Sequence, residues 1–253
     1  MFATRIRAMR GAHWLALFGL ILAAWAALYA MSIPADLRAT GRVYGAGFWA
    51  DLCNLTPDGA GFAKMTLMWV LMSAAMMAPT ALPAFATYED LSHSGAETRF
   101  PALVGGYLSI WLGFSVLAAA MQLVLFRAGL LDPLGSSASA GLSAGLLAMA
   151  GAYQFTPLKD ACLSKCRAPF TFFLQHWDEG AFRNGLRLGA VCLGCCWALM
   201  TLAFVGGVMN LAFMGLATLL MVFEKLPEIG RWLTRPLGAA LLAGAVFVAA
   251  NGI

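Results

Sequence analysis

The sequence predicts an all-α fold, a polytopic transmembrane helix bundle of about seven spans, and three observations carry that prediction. Of 253 residues, 61% are hydrophobic and only 11% charged, with a mean hydropathy of +0.79; soluble domains carry about 25% charged residues. The apolar residues gather into seven stretches, at about 12–33, 64–86, 102–126, 138–158, 186–206, 208–224 and 235–252. Each is near the roughly 20 residues that cross a hydrocarbon core of about 30 Å. Lys and Arg then fall unevenly between alternate connections, as expected of a chain with a fixed orientation in a bilayer.

The first stretch has the basic start (Arg5, Arg7, Arg10) and small residues (Ala27 to Ala30) of a signal peptide, but its apolar run is long for one and reads as a retained anchor. An outer connection at about 35–62, "GRVYGAGFWADLCNLTPDGAG", is rich in Gly and aromatics. The second stretch carries "KMTLMWVLMSAAMMAPTALPAF". On a helix of 3.6 residues per turn, Met65, Met72 and Met76 fall near one line with Met68 on its edge, either a thioether track or adaptable core filler. Pro79 and Pro83 break its hydrogen-bond ladder and free carbonyls. The fourth stretch runs into "TPLKDACLSKCRAP", where Thr156 caps a new helix with Pro157 at its first position and the chain turns at Ala168-Pro169. The fifth and sixth stretches meet at Gly206-Gly207, so six spans are the fallback count. Glu224 and Lys225 close the sixth and are expected at the membrane interface.

With the N-terminus inside, the inner segments hold Arg5, Arg7, Arg10, Arg99, Lys159, Lys165, Arg167, Arg183, Arg187, Lys225, Arg231 and Arg235. The outer segments hold only Arg38, Arg42, Lys64 and Arg127. The net charge of +4 therefore reports orientation, in a bacterial cytoplasmic membrane, and not nucleic-acid binding. No linker separates domains, and 1–253 reads as one membrane domain. A P-loop, a GxGxxG fingerprint and an HExxH motif are all absent, which argues against nucleotide-driven work. No row of buried acids marks a proton path.

Topology sorts the six cysteines. Cys53 falls in the outer connection, while Cys162 and Cys166 lie just past the inner end of the fourth span. Cys192, Cys195 and Cys196, in "AVCLGCCWALM", sit early in the fifth span, roughly 8–14 Å in from Arg187 at 1.5 Å per residue. Five cysteines thus converge on the cytoplasmic third. Cys162 and Cys166 share a helix face, as do Cys192 and Cys196, with Cys195 on a flank. The two pairs can meet as a four-sulfur site, and Lys159, Lys165 and Arg167 would favour thiolates there. A structural disulfide is disfavoured on the reducing side of the membrane. Packing, a metal site and a catalytic thiol pair remain open.

Sulfur ligands select Cu(I), zinc or iron–sulfur clusters. Only His13, His93 and His176 supply imidazole, and His176 in "LQHWDEG" shares the inner loop with Cys162 and Cys166. Met76 and Met77 are further candidate soft ligands from the second span, and Met200 continues the face of Cys192 and Cys196.

In order, "YQFTPLKDACLSKCRAP", "FLQHWDEG", "CLGCCWALM", "FVGGVMN" and "FEK", preceded by "MMAPTALP" and "GYLSIWLGFS", resemble an uncharacterised bacterial family of predicted metal-binding integral membrane proteins, known as domain of unknown function 2182. The resemblance covers about residues 63–226. It implies metal binding at Cys162, Cys166, Cys192, Cys195 and Cys196, with His176 as a secondary candidate. Many members have a histidine just before the cysteine cluster; Leu188-Gly189 here lean this chain towards sulfur-only ligation.

The expected function is Cu(I) handling (transport, storage or delivery to a partner cuproprotein), with zinc as the second metal and no catalytic residue assigned. One alternative is a membrane thiol–disulfide redox enzyme using the same cysteines. Another is a non-catalytic subunit or assembly factor of a larger membrane complex, with a structural metal. The expected surroundings are a lipid bilayer, with no nucleic acid and no nucleotide.

Overall fold

A backbone buried among apolar side chains has to satisfy its own N–H and C=O groups, and a helix does so within one segment. The computed structural model describes residues 11–32, 59–92, 99–132 and 135–252, and there each of the seven apolar stretches is helical. These helices are α1 (Ala12–Ser32), α2 (Gly59–Ser92), α3 (Phe100–Arg127), α4 (Ala140–Tyr153), α7 (Ala181–Thr201), α8 (Leu211–Lys225) and α9 (Gly230–Asn251). Two more, α5 (Pro157–Arg167) and α6 (Pro169–His176), fill the connection between α4 and α7. The described residues form no named strand, and the fold is all-α. Cys53, His93, Arg5, Arg7, Arg10, Arg38 and Arg42 lie outside the described residues.

Among the described residues, five helices are long and apolar enough to cross a membrane: α1, α2, α3, α7 with the turn Ala203–Gly206, and α9. The fourth and sixth apolar stretches make shorter helices of 14 and 15 residues. The fourth stops at Tyr153 because Thr156, in extended conformation, accepts the Lys159 N–H at 3.3 Å and starts α5 with Pro157 at its first position. The fifth and sixth are separate helices. Gly207 turns the chain with φ +89°, in the left-handed half of the map that glycine enters without strain. The Asn210 side chain then accepts the Phe213 N–H at 3.1 Å to cap α8.

Packing is set by backbone approach. A Cβ on Gly185 of α7 would strike the Leu103 carbonyl of α3, and one on Gly106 would strike the Phe182 carbonyl. Small residues let two apolar helices touch in this way when lipid offers no hydrophobic force to join them. Between α2 and α3, Trp69 Nε1 donates to Gln122 Oε1 at 2.7 Å, and the Ser73 and Ser115 hydroxyls lie 3.1 Å apart. Pro79 removes the N–H that the Ala75 carbonyl would receive inside α2. That carbonyl instead accepts Trp25 Nε1 of α1 at 3.0 Å. Outward-facing Leu15, Leu22, Leu117, Val124 and Val246 are exposed, as side chains turned towards lipid would be.

α5 and α6 cover one end of the bundle. Tyr88, near the end of α2, packs its ring on Phe173 and Trp177. Arg167 of α5 donates to the Glu224 carbonyl at the end of α8 and to Thr234 at the start of α9. At the same end His13 meets Glu89 at 2.8 Å, and Trp14 donates to the other Glu89 oxygen.

The α3–α7 contact yields a first prediction. Gly185→Leu should force the two backbones apart and destabilise the bundle by about 1–3 kcal/mol, the usual range for overpacking. Thermal unfolding in mild detergent would read this as a lowered midpoint, whereas Gly105→Leu, at a position with open space around it, should leave the midpoint unchanged.

Candidate metal centre

Little more than one turn of α7 carries the three sulfurs inward. Cys192, Cys195 and Cys196 are all buried, and their Sγ atoms lie within 4.8 Å of one another. Cys195 and Cys196 Sγ are 3.3 Å apart, and the Cys195 thiol donates to the Cys192 carbonyl at 3.1 Å. α5 then crosses α7 on the Cys195 side. Cys166 Sγ stands 3.9 Å from Cys195 Sγ, so the residue read as a flank is the one that faces the second motif. Cys162 packs on bare backbone at Gly194, where an added Cβ would sit 2.6 Å from its sulfur. Cys162 and Cys166 are half-buried, and the five described cysteines are all free thiols.

The charges differ from the sequence expectation. Glu224 and Lys225, at the end of α8, are buried within the bundle. Neighbouring helical residues point about 100° apart, so the two serve different partners. Glu224 receives Lys159 Nζ at 2.9 and 3.1 Å, in an ion pair whose side chains are each 1% exposed. Lys159, expected to polarise the thiols, is therefore neutralised. Lys225 takes that place: its Nζ donates to Cys192 Sγ at 2.9 Å and to Thr80 Oγ1 at 2.6 Å. Burial pushes the Cys162 thiol up from its ordinary pKa, with Lys165 acting weakly the other way. The basic residues of α5 thus do not make Cys162 a ready thiolate.

A hydroxyl from each of two helices completes the wall around Cys192. Tyr107 of α3 places its OH 3.1 Å from Cys192 Sγ and 2.9 Å from the Met77 carbonyl of α2. Thr80 of α2 lies 4.0 Å from the same sulfur. Tyr153 donates to the Gly194 carbonyl at 2.5 Å and packs edge-on against Trp197.

The remaining candidates fall as follows. Met65, Met68, Met72, Met76, Met77 and Met200 are all buried in the core, and Met77 reaches the site through its backbone carbonyl. His176 lies at the end of α6, outside the three-sulfur group. Its Nδ1 is 2.9 Å from the Phe172 carbonyl, its ring packs on Phe172, and its own carbonyl receives Asn184 Nδ2. Thr80 and Tyr107 carry no site signal in the sequence, and Lys225 reads there only as a charge at the end of an apolar run. The one available signal was a Glu-Lys pair closing an apolar run, since ionisable groups inside a membrane protein tend to be functional.

The donor set suits a soft ion. A metal bonded to sulfur at about 2.3 Å holds two such ligands about 4 Å apart in a three-coordinate site. The three sulfurs already lie within 4.8 Å, so little movement separates this arrangement from a closed one. A buried cluster whose metal donors are thiols favours Cu(I) or zinc over hard cations.

The family comparison bears on this geometry. A family described as a copper chaperone, PpoB2, has a model that matches residues 66–248, well over half of the chain. The chain belongs to this family. No curated protein and no solved structure matches it. Membership in the copper chaperone family, the buried cysteine cluster and five helices of membrane-crossing length together support a membrane protein that handles copper. The expected kinship with metal-binding membrane proteins holds at this level. Both cysteine motifs, Thr80, Tyr107 and Lys225 fall inside the matched region.

A cavity of about 750 Å³ opens at the same end, between Thr87, Asp90 and Leu91 of α2 and Arg167, Phe170 and Leu174 of α5 and α6. No cysteine lines it. Arg167, the neighbour of Cys166, forms part of its wall.

The buried ion pair gives a second prediction. Lys159→Met alone should strand Glu224 and cost about 3–5 kcal/mol, while the double variant Lys159→Met, Glu224→Leu should recover most of the loss. A double-mutant cycle followed by thermal unfolding in detergent would measure the coupling.

Proposed function

We propose that this chain is a copper chaperone of the bacterial inner membrane, which holds Cu(I) on Cys192, Cys195 and Cys196 and hands it to a partner cuproprotein by way of Cys166. The observation that carries this reading is the graded burial of the sulfurs. Half-buried Cys166 lies 3.9 Å from buried Cys195, which is 3.3 Å from buried Cys196. An ion can move along such a row by ligand exchange, with one Cu–S bond forming as the next breaks. A site built for storage or structure alone would have no use for a half-buried sulfur at its edge.

The bundle end that holds α5 and α6 is the cytoplasmic one on this reading, because it gathers Arg99, Lys165, Arg183, Arg187, Arg231 and Arg235. Cys162, packed on Gly194, supports the edge of the row, and buried Met76 and Met77 are the further soft ligands of this reading. Zinc is the competing cargo, since it also accepts thiolates. A thiol–disulfide role is favoured by a single feature, the approach of Cys166 to Cys195.

The test is metal content after anaerobic purification in mild detergent, with Cu(I) supplied and removed by a chromogenic chelator. About one Cu(I) per chain is expected, lost in Cys192→Ser and in Cys195→Ser. Cys166→Ser should keep the ion yet slow its transfer to a chelator-coupled acceptor protein by tenfold or more. Zinc retained in preference to copper, or a Cys166–Cys195 disulfide formed with no metal held, would overturn the copper reading.

A further inference from the structure

Lys225 is an expensive residue to place where it is. An ammonium in an apolar bundle needs a counter-charge, since an isolated buried charge is strongly disfavoured. Its neighbour Glu224 is committed to Lys159. Lys225 Nζ has the Thr80 hydroxyl and the Cys192 sulfur as its partners, and no carboxylate lies within ion-pair distance of it among the described residues. The Cys192 sulfur is therefore the soft donor that faces the Lys225 charge. Lys159 and Glu224 cancel, and Arg167 points to the Glu224 carbonyl and Thr234, so Lys225 is the fixed charge that touches the cluster.

Charge then separates the candidate ions. An ion held on Cys192 lies within a few ångströms of Lys225 Nζ, and the fixed charge there repels a divalent ion about twice as strongly as a monovalent one. The geometry points to Lys225 as a specificity-determining residue, whose fixed positive charge beside Cys192 tunes the cluster to a monovalent soft ion and against divalent ions. This inference rests on the copper-holding reading above. Thr80 is the positioning partner, because its hydroxyl accepts from Nζ and itself donates to the Met77 carbonyl at 2.8 Å. That bond fixes the ammonium between α2 and α7.

The experiment measures Cu(I) and Zn(II) affinities of the full chain in detergent, by chelator competition, for wild type, Lys225→Arg and Lys225→Met. At an effective dielectric of about 20, a unit charge a few ångströms from an ion changes its binding by well over tenfold. Lys225→Met should therefore lower the ratio of Cu(I) to Zn(II) affinity by tenfold or more, while Lys225→Arg, which keeps the charge, should stay within about threefold of wild type. A purely structural role would weaken both ions together and leave the ratio fixed, which would overturn the inference, as would an unchanged ratio with both affinities intact. Should Lys225→Met fail to accumulate, Thr80→Glu sets a carboxylate against Nζ and cancels the charge in place; it should shift the ratio in the same direction. Wild type that holds no Cu(I) would instead remove the copper reading itself, and the two failures are told apart by that first measurement.

Discussion

A charge taken out of water must find an opposite charge or a full set of hydrogen bonds, and that constraint organises the α5–α6 end of this bundle. Glu224 draws Lys159 down from α5, the Glu224 carbonyl draws Arg167, and Lys225 turns the other way to meet Cys192. These contacts tie α5, which carries one cysteine motif, to α8, and tie α8 to α7, which carries the other. The sulfur row is thus assembled by the requirements of two buried lysines. An apolar replacement of the same volume could hold the helices together, but it would not position a cation against a sulfur.

The second organising contact is steric. Gly106 and Gly185 let α3 and α7 meet backbone to backbone, and that closeness is what allows Tyr107 to reach both Cys192 and the Met77 carbonyl. A third absence of side chain, at Gly194, admits the Cys162 sulfur. The chemistry at the centre thus depends on three places where α3 or α7 offers no Cβ.

Much of this was legible in the sequence. Apolar runs show as helices whatever their neighbours, and local signals such as Thr156-Pro157 and Ala168-Pro169 mark a helix start and a turn through bonds made within a few residues. The convergence of five cysteines at one end followed from counting spans. Less legible were features that depend on how helices rotate against one another. Cys195, not Cys192 or Cys196, faces Cys166 because α5 crosses on that flank. Lys225, not Lys159, stands against the sulfurs because Glu224 and Lys225 point apart around α8. A helical wheel gives the angle between two residues, but not which neighbour stands at either bearing. The shortness of the fourth and sixth helices depended on caps at their ends as much as on their apolar content.

The broken ladder at Pro79 carries a mechanical consequence. Below the break, α2 bears the methionine-rich half that packs in the core; above it, Thr80 holds the ammonium of Lys225. The gap between the halves is splinted from outside, by the Trp25 indole on the Ala75 carbonyl. α1 therefore acts as a brace across a natural flexure. A load applied to α1, by a bilayer of different thickness or by a protein clasping its outer face, would be felt first at that splint, and next, five residues along the same helix, at the hydroxyl that steadies the cation beside the sulfurs.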